Sequence, residues 1–170
     1  MKLTYAIAAA LLASSPTAFA IPIGTVGGAD TLVKWASLDD SSDAAEKQMI
    51  AEYLNVDADT LSYTHLGDDS GGESGAWVGV DGNADLYAFH FGGAAPAYFL
   101  IKVGSGIELD NVDGTFSHFL YENVTNLSYG VIDFSPLSKW KNDKDVIDIG
   151  VVSHVSTVGG GTVTTVPEPA

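Results

Sequence analysis

Four histidines, 22 carboxylates and one Gly/Asp/Ser run are the residues of this 170-residue chain with chemistry to offer. A transition metal or a general base would draw on His65, His90, His118 and His154. None stands in the H-E-x-x-H spacing that puts two imidazoles on one helical face. All four fall inside runs that read as strands, where a lone His is ordinarily a hydrogen-bonded or edge residue. His118 and His154 meet if their strands are neighbours. The run Gly67-Asp68-Asp69-Ser70-Gly71-Gly72 nearly spells a serine-protease nucleophile loop, but an extra acid interrupts it. A serine nucleophile also needs a positioned His base and an orienting carboxylate, and His65 lies only just upstream. The segment reads as a solvated turn.

Carboxylate spacing offers a second chemistry. Asp81, Asn83 and Asp85 stand at alternate positions, the opening of a D-x-N-x-D calcium loop. Ca²⁺ takes hard oxygen ligands on a flexible loop, so although no cofactor is expected, a structural calcium ion is the one these residues could hold. The rest of the calcium-hand pattern is missing, with Leu86 where Gly is required and Gly92 where a bidentate acid is required. Asn55, Asp57 and Asp59 repeat the spacing and lack the same completions, and Asp and Asn also form ordinary turns. Aromatics are the third option. Trp35, Trp77 and Trp140 could include a sugar-stacking platform, with Trp140, between Lys139 and Lys141, the one expected to be exposed. Most aromatics in such strands are core.

The elements that must position these residues follow from composition and periodicity. Seven Lys, no Arg and a formal charge of −15 argue against nucleic acid, whose phosphates need cations to displace counterions. The same balance argues against an anionic membrane surface. With no Cys there is no disulfide, thiolate nucleophile or thiolate zinc site. Abundant Gly suits strands and turns. One helix is predicted over residues 42–54, with Ser41, Ser42 or Asp43 as N-cap and Asp43–Glu46 in capping-box spacing. Ala45, Met49, Ile50, Tyr53 and Leu54 would form its buried stripe, and Asn55 its stop. That helix is expected to plug one end or edge of a sheet.

Strand signals occupy residues 31–36, 61–66, 76–80, 85–91, 98–103, 116–121, 129–134 and 146–155, a rhythm of sandwiches. Tyr98 to Val103 is apolar on both faces and reads as a central strand. Asp81-Gly82-Asn83 and Asp113-Gly114 supply turns. The fold expected is all-β: an antiparallel β-sandwich, jelly-roll-like, with one short α-helix in the N-terminal half.

The two ends speak to address. Met1-Lys2, an uncharged apolar run from Leu3 to Leu12, and Ala18-Phe19-Ala20 read as a signal peptide cleaved after Ala20. The domains are then residues 1–20 (leader), 21–157 (sandwich), 158–165 (Gly/Thr-rich linker) and 166–170. That last segment is Val166, Pro167, Glu168, Pro169 and Ala170. An export signal, a Gly/Thr linker and Val-Pro-Glu-Pro-Ala together resemble the PEP-CTERM class of exosortase-sorted bacterial exports. The runs Tyr98–Gly104, His118–Asn123, Tyr129–Ser135 and Ile149–Ser156 resemble the β-sandwich domain of many small members. The resemblance implies an exosortase as partner at the sorting motif, and membrane contact only through an apolar helix beyond Ala170. It supplies no catalytic residues. The function expected is a non-enzymatic bacterial cell-surface or extracellular-matrix protein, as found in biofilms. A carbohydrate-binding module acting on extracellular polysaccharide is the alternative, and a hydrolase ranks third. In such an export, the glycosylation-like triplets at Asn123 and Asn126 read as chance.

Overall fold

The computed structural model describes residues 20–40, 42–66, 77–109, 112–124, 127–135 and 152–159. Among the described residues eight strands run in chain order: β1 (Thr31–Ala36), β2 (Ser62–His65), β3 (Trp77–Val80), β4 (Asn83–His90), β5 (Tyr98–Leu109), β6 (Val112–Glu122), β7 (Tyr129–Asp133) and β8 (Val152–Gly159). A helical turn α1 (Ile23–Val26) precedes β1, and helix α2 (Asp43–Leu54) follows it. The strands form two antiparallel sheets, one ordered β1-β6-β5-β8-β2 and the other β3-β4-β7. The expected all-β sandwich is therefore the architecture found.

Its main core lies between the sheets. Phe99, Ile101 and Val103 of β5, Phe119 and Tyr121 of β6 and Val155 of β8 face Trp77, Phe89, Phe91 and Ile132. A bulge at Ser153, whose hydroxyl donates to the Lys102 carbonyl, lets Val152 join this core while His154 stays on the opposite face. Gly130 of β7 is a close-approach position, because a Cβ there would lie 2.7 Å from Phe91 Cζ and 2.9 Å from Phe99 Cζ.

The other face of β5 is covered too. Leu100, Leu120 and Val158 pack against Met49, Ile50 and Ala51 of α2. Helix α2 thus lies on the outer face of the five-stranded sheet rather than plugging an end or edge. Burying Leu100 and Ile101 on opposite sides is what an all-apolar central strand requires.

The small sheet owes its finish to the segment before β1. Ile21 pairs in parallel with Val80, its N–H donating to the Gly79 carbonyl and its own carbonyl accepting from Asp81 N–H. Val26 then buries against Val80, Leu86, Ala88 and Val131 on the outer face. At the far side Asp30 donates its N–H to the Val131 carbonyl and accepts the Val131 N–H at 2.7 Å. One strap of ten residues thereby satisfies backbone groups at both edges, where open strands invite pairing with other chains. Asp113 and Gly114, expected as a turn, lie within β6.

Candidate functional site

The polar cluster under α2 begins with the helix cap. Ser42 is the N-cap, its hydroxyl accepting from Ala45 N–H at 3.3 Å. With Ser42 rather than Asp43 at that position, Glu46 falls one residue beyond the capping-box partner and turns inward. It shares the face of Met49 and Ile50 and is 0% exposed. Tyr53, expected in the buried stripe, is 40% exposed and packs edge-on against Tyr98, while Ala51 takes a buried place.

The sheet presents donors to that carboxylate. His118 of β6 and His154 of β8 are both paired with Lys102 of β5, so the three form one row across the sheet. The two histidine strands are not neighbours, but they flank the same strand and turn their side chains to the same face. His118 Nε2 lies 3.2 Å from Glu46 Oε1, and His154 Nε2 lies 3.1 Å from both Glu46 oxygens. Tyr63 of β2 donates its hydroxyl to Glu46 Oε2 and sits 2.8 Å from Ser156 Oγ. Ser117 Oγ stands 2.8 Å from His118 Nδ1, which fits a hydroxyl donating to Nδ1 and an Nε2–H pointing at Glu46. His65 stacks on His154 with ring centroids 4.3 Å apart, and its Nδ1 reaches exposed Asp43 at 3.2 Å.

Electrostatics follow from this geometry. Burial alone would raise the Glu46 carboxyl. The hydrogen bonds from His118, His154 and Tyr63, with the electrostatic pull of His154, outweigh it and hold the group well below the usual carboxylate range. Burial and the Glu46 hydrogen bond push the Tyr63 phenol up. The cluster is accordingly an ionised carboxylate held by three donors.

A second buried carboxylate secures the strap. Asp30 accepts Val124 N–H at 3.0 Å and Val131 N–H at 2.7 Å. Burial raises its pKa to about 6 against the opposing pull of those two backbone donors.

The residues singled out from sequence are scattered. Asp81 and Gly82 form the tight turn between β3 and β4, and Asn83 Oδ1 accepts the Asp85 N–H at 3.0 Å. All three calcium candidates are exposed, and among the described residues no group of three acids or imidazoles is arranged to hold a metal ion. Asp57 caps a 3₁₀ turn by accepting the Asp59 N–H, and Asn55 ends α2 in the left-handed region at φ 53°. His90 lies edge-on to Tyr129, away from the cluster. Asn123 is buried and donates to the Leu127 carbonyl, a structural use of the first glycosylation-like triplet. Trp77 is core and Trp35 packs edge-on against Phe116. Ala20 heads the described chain. Ala18, the Gly67–Gly72 run, Trp140, residues 146–151 of the last expected strand, Asn126 and the sorting motif Val166 to Ala170 lie outside the described residues.

Sequence reasoning missed Glu46, Tyr63 and Asp30. The available signal for Glu46 was its position three and four residues before Met49 and Ile50, which places an acid in the apolar stripe. Among the described residues no helix is long and apolar enough to cross a membrane. No protein-family model, curated protein or solved structure matches the chain.

Proposed function

We propose that this is an exported, non-enzymatic bacterial surface or matrix protein of the PEP-CTERM class, delivered through a cleaved leader and sorted by an exosortase. One observation carries the reading. Among the described residues, sheet pairing is first met at Ile21, the residue after the expected cleavage bond, which donates to Gly79 and accepts from Asp81. Cleavage turns the Ile21 nitrogen into an ammonium, which still donates, so a mature N-terminus fits this site. At the other end β8 includes Val158 and Gly159, so the first two residues of the expected 158–165 linker belong to the sandwich, and Pro167-Glu168-Pro169 follows later in the sequence. The inert character of the proposed role draws support from Glu46, His118 and His154, which are spent on one another in a closed interior.

The test is genetic and chemical. On this reading the gene continues past Ala170 with roughly 17–20 apolar residues and then several basic ones. In a host carrying an exosortase the protein reaches the surface or medium with Ile21 as its N-terminus. Deleting the exosortase leaves it in the membrane fraction. Identical fractionation in both strains, or a mature protein that begins at Met1, would overturn the proposal.

A further inference from the structure

We propose that the Glu46–His118–His154 cluster is an acid-sensitive latch, holding α2 on the five-stranded sheet near neutral pH and releasing it on acidification. The argument starts from a count of charges. One carboxylate serves two imidazoles, each donating Nε2–H to it at 3.1–3.2 Å. A first added proton makes one imidazolium, and Glu46 balances it. A second leaves a net positive charge in a site where Glu46, His118 and His154 are all buried. An uncompensated charge in such surroundings is strongly unfavourable.

The surroundings leave this imbalance in place. From α2 the facing groups are Glu46 and Asp43; from β2, Tyr63 and His65; from β5, Lys102; from β6 and β8, His118 and His154. Tyr63 stays neutral, since its phenol is pushed up. Asp43 sits at the exposed rim, where water screens it from the interior. His65, in ring contact with His154, pairs with that same Asp43 at 3.2 Å. Acid therefore accumulates cations around a single buried anion. The opposing hold on α2 is an apolar row of Met49, Ile50 and Ala51 against Leu100, Leu120 and Val158, widened by Leu61 and by partly buried side chains such as Leu54, Val33 and Tyr98. Release exposes that row. The inter-sheet core, which lies on the other face of β5 and β6, is untouched. A local element can open in this way at a fraction of the global unfolding free energy.

Hydrogen exchange of the folded protein at about pH 7.5 and about pH 5, corrected for intrinsic exchange rates, provides the test. The expected result is a loss of protection of about tenfold or more for amides of residues 46–54, with the amides of β5 and β6 unchanged. The double variant His118→Gln/His154→Gln keeps amide donors toward Glu46 and cannot titrate, so its α2 protection stays flat. Imidazole chemical shifts of the wild-type protein supply a readout independent of any variant. Equal protection of α2 at both pH values refutes the latch, and so does a protein in which His118 and His154 do not both gain a proton over that range. Zn²⁺ is added in a parallel arm. Stoichiometric Zn²⁺ binding that raises Tm and abolishes the pH response would also refute it, making the cluster a metal centre instead.

Discussion

Removing the Glu46 carboxylate isolates the central interaction of the helix-to-sheet contact. In Glu46→Ala the Nε2–H groups of His118 and His154 lose their acceptor in a buried site, while Tyr63 can turn to Ser156 Oγ at 2.8 Å. Two orphaned donors cost about 2–6 kcal/mol, and a cavity at a fully buried side chain adds to that. Against this stands the relief of no longer burying an anion, a penalty of several kcal/mol per ion. The net expected is about 3–5 kcal/mol, the range for breaking a buried pair from one side. Glu46→Gln separates charge from shape. Its carbonyl still accepts, but its NH₂ must face at least one donor, so about 1–3 kcal/mol is expected.

The pH dependence carries a definite sign. Glu46 titrates in the folded protein below its ordinary value of 4.5. The loss that comes from its own protonation therefore begins below that value and completes as the pH falls through the folded pKa. Urea midpoints with unchanged m-values at pH 7 give the gap between wild type and Glu46→Ala, and a series below pH 4.5 should show it closing. A gap under about 1 kcal/mol at pH 7, or one that persists undiminished in acid, would refute the account of Glu46 as an ionised group held by three donors.

Three further outcomes are expected. Leu100→Ala and Ile101→Ala, fully buried on opposite faces of β5, should each cost about 2–5 kcal/mol by denaturant midpoint; a harmless Leu100→Ala would mean that α2 does not cover that face. Gly130→Ala, which places a methyl on the Phe91 and Phe99 rings, should cost about 1–3 kcal/mol, and broadened or shifted resonances of both rings would accompany it. Asp30 has the opposite pH sign to Glu46. With its pKa raised from 3.8 to about 6, its contribution is largest below the unfolded value and lost as the pH rises through about 6, a swing of about 3 kcal/mol. The stability difference between wild type and Asp30→Asn should therefore shift toward the variant from pH 4 to pH 6.5, and a difference constant over that window would contradict the raised pKa.

What the sequence made legible is what local pattern controls. β1 occupies residues 31–36 as expected, α2 ends at Asn55 as its αL-prone stop suggests, and the double-sided apolarity of Leu100 and Ile101 announces a covered central strand. Sheet order is different, because it depends on pairings between distant segments. Lys102 meets His118 on one side and His154 on the other, and nothing within either histidine's own strand specifies that. Lateral placement of α2 escaped for the same reason, since a buried stripe needs a partner surface and does not say which. The candidate site was hidden by a correct rule applied one residue out of phase. Asp43 and Glu46 have capping-box spacing, but Ser42 is the cap, and the acid assigned to the helix end is instead its buried anchor. Each polar residue that breaks an apolar face here (Glu46 in α2, His118 in β6, His154 in β8) finds its compensation on another element. Those breaks in pattern can be located in a single sequence. Matching them to each other requires the fold, because an unpaired buried charge is tolerated only where a partner from elsewhere arrives.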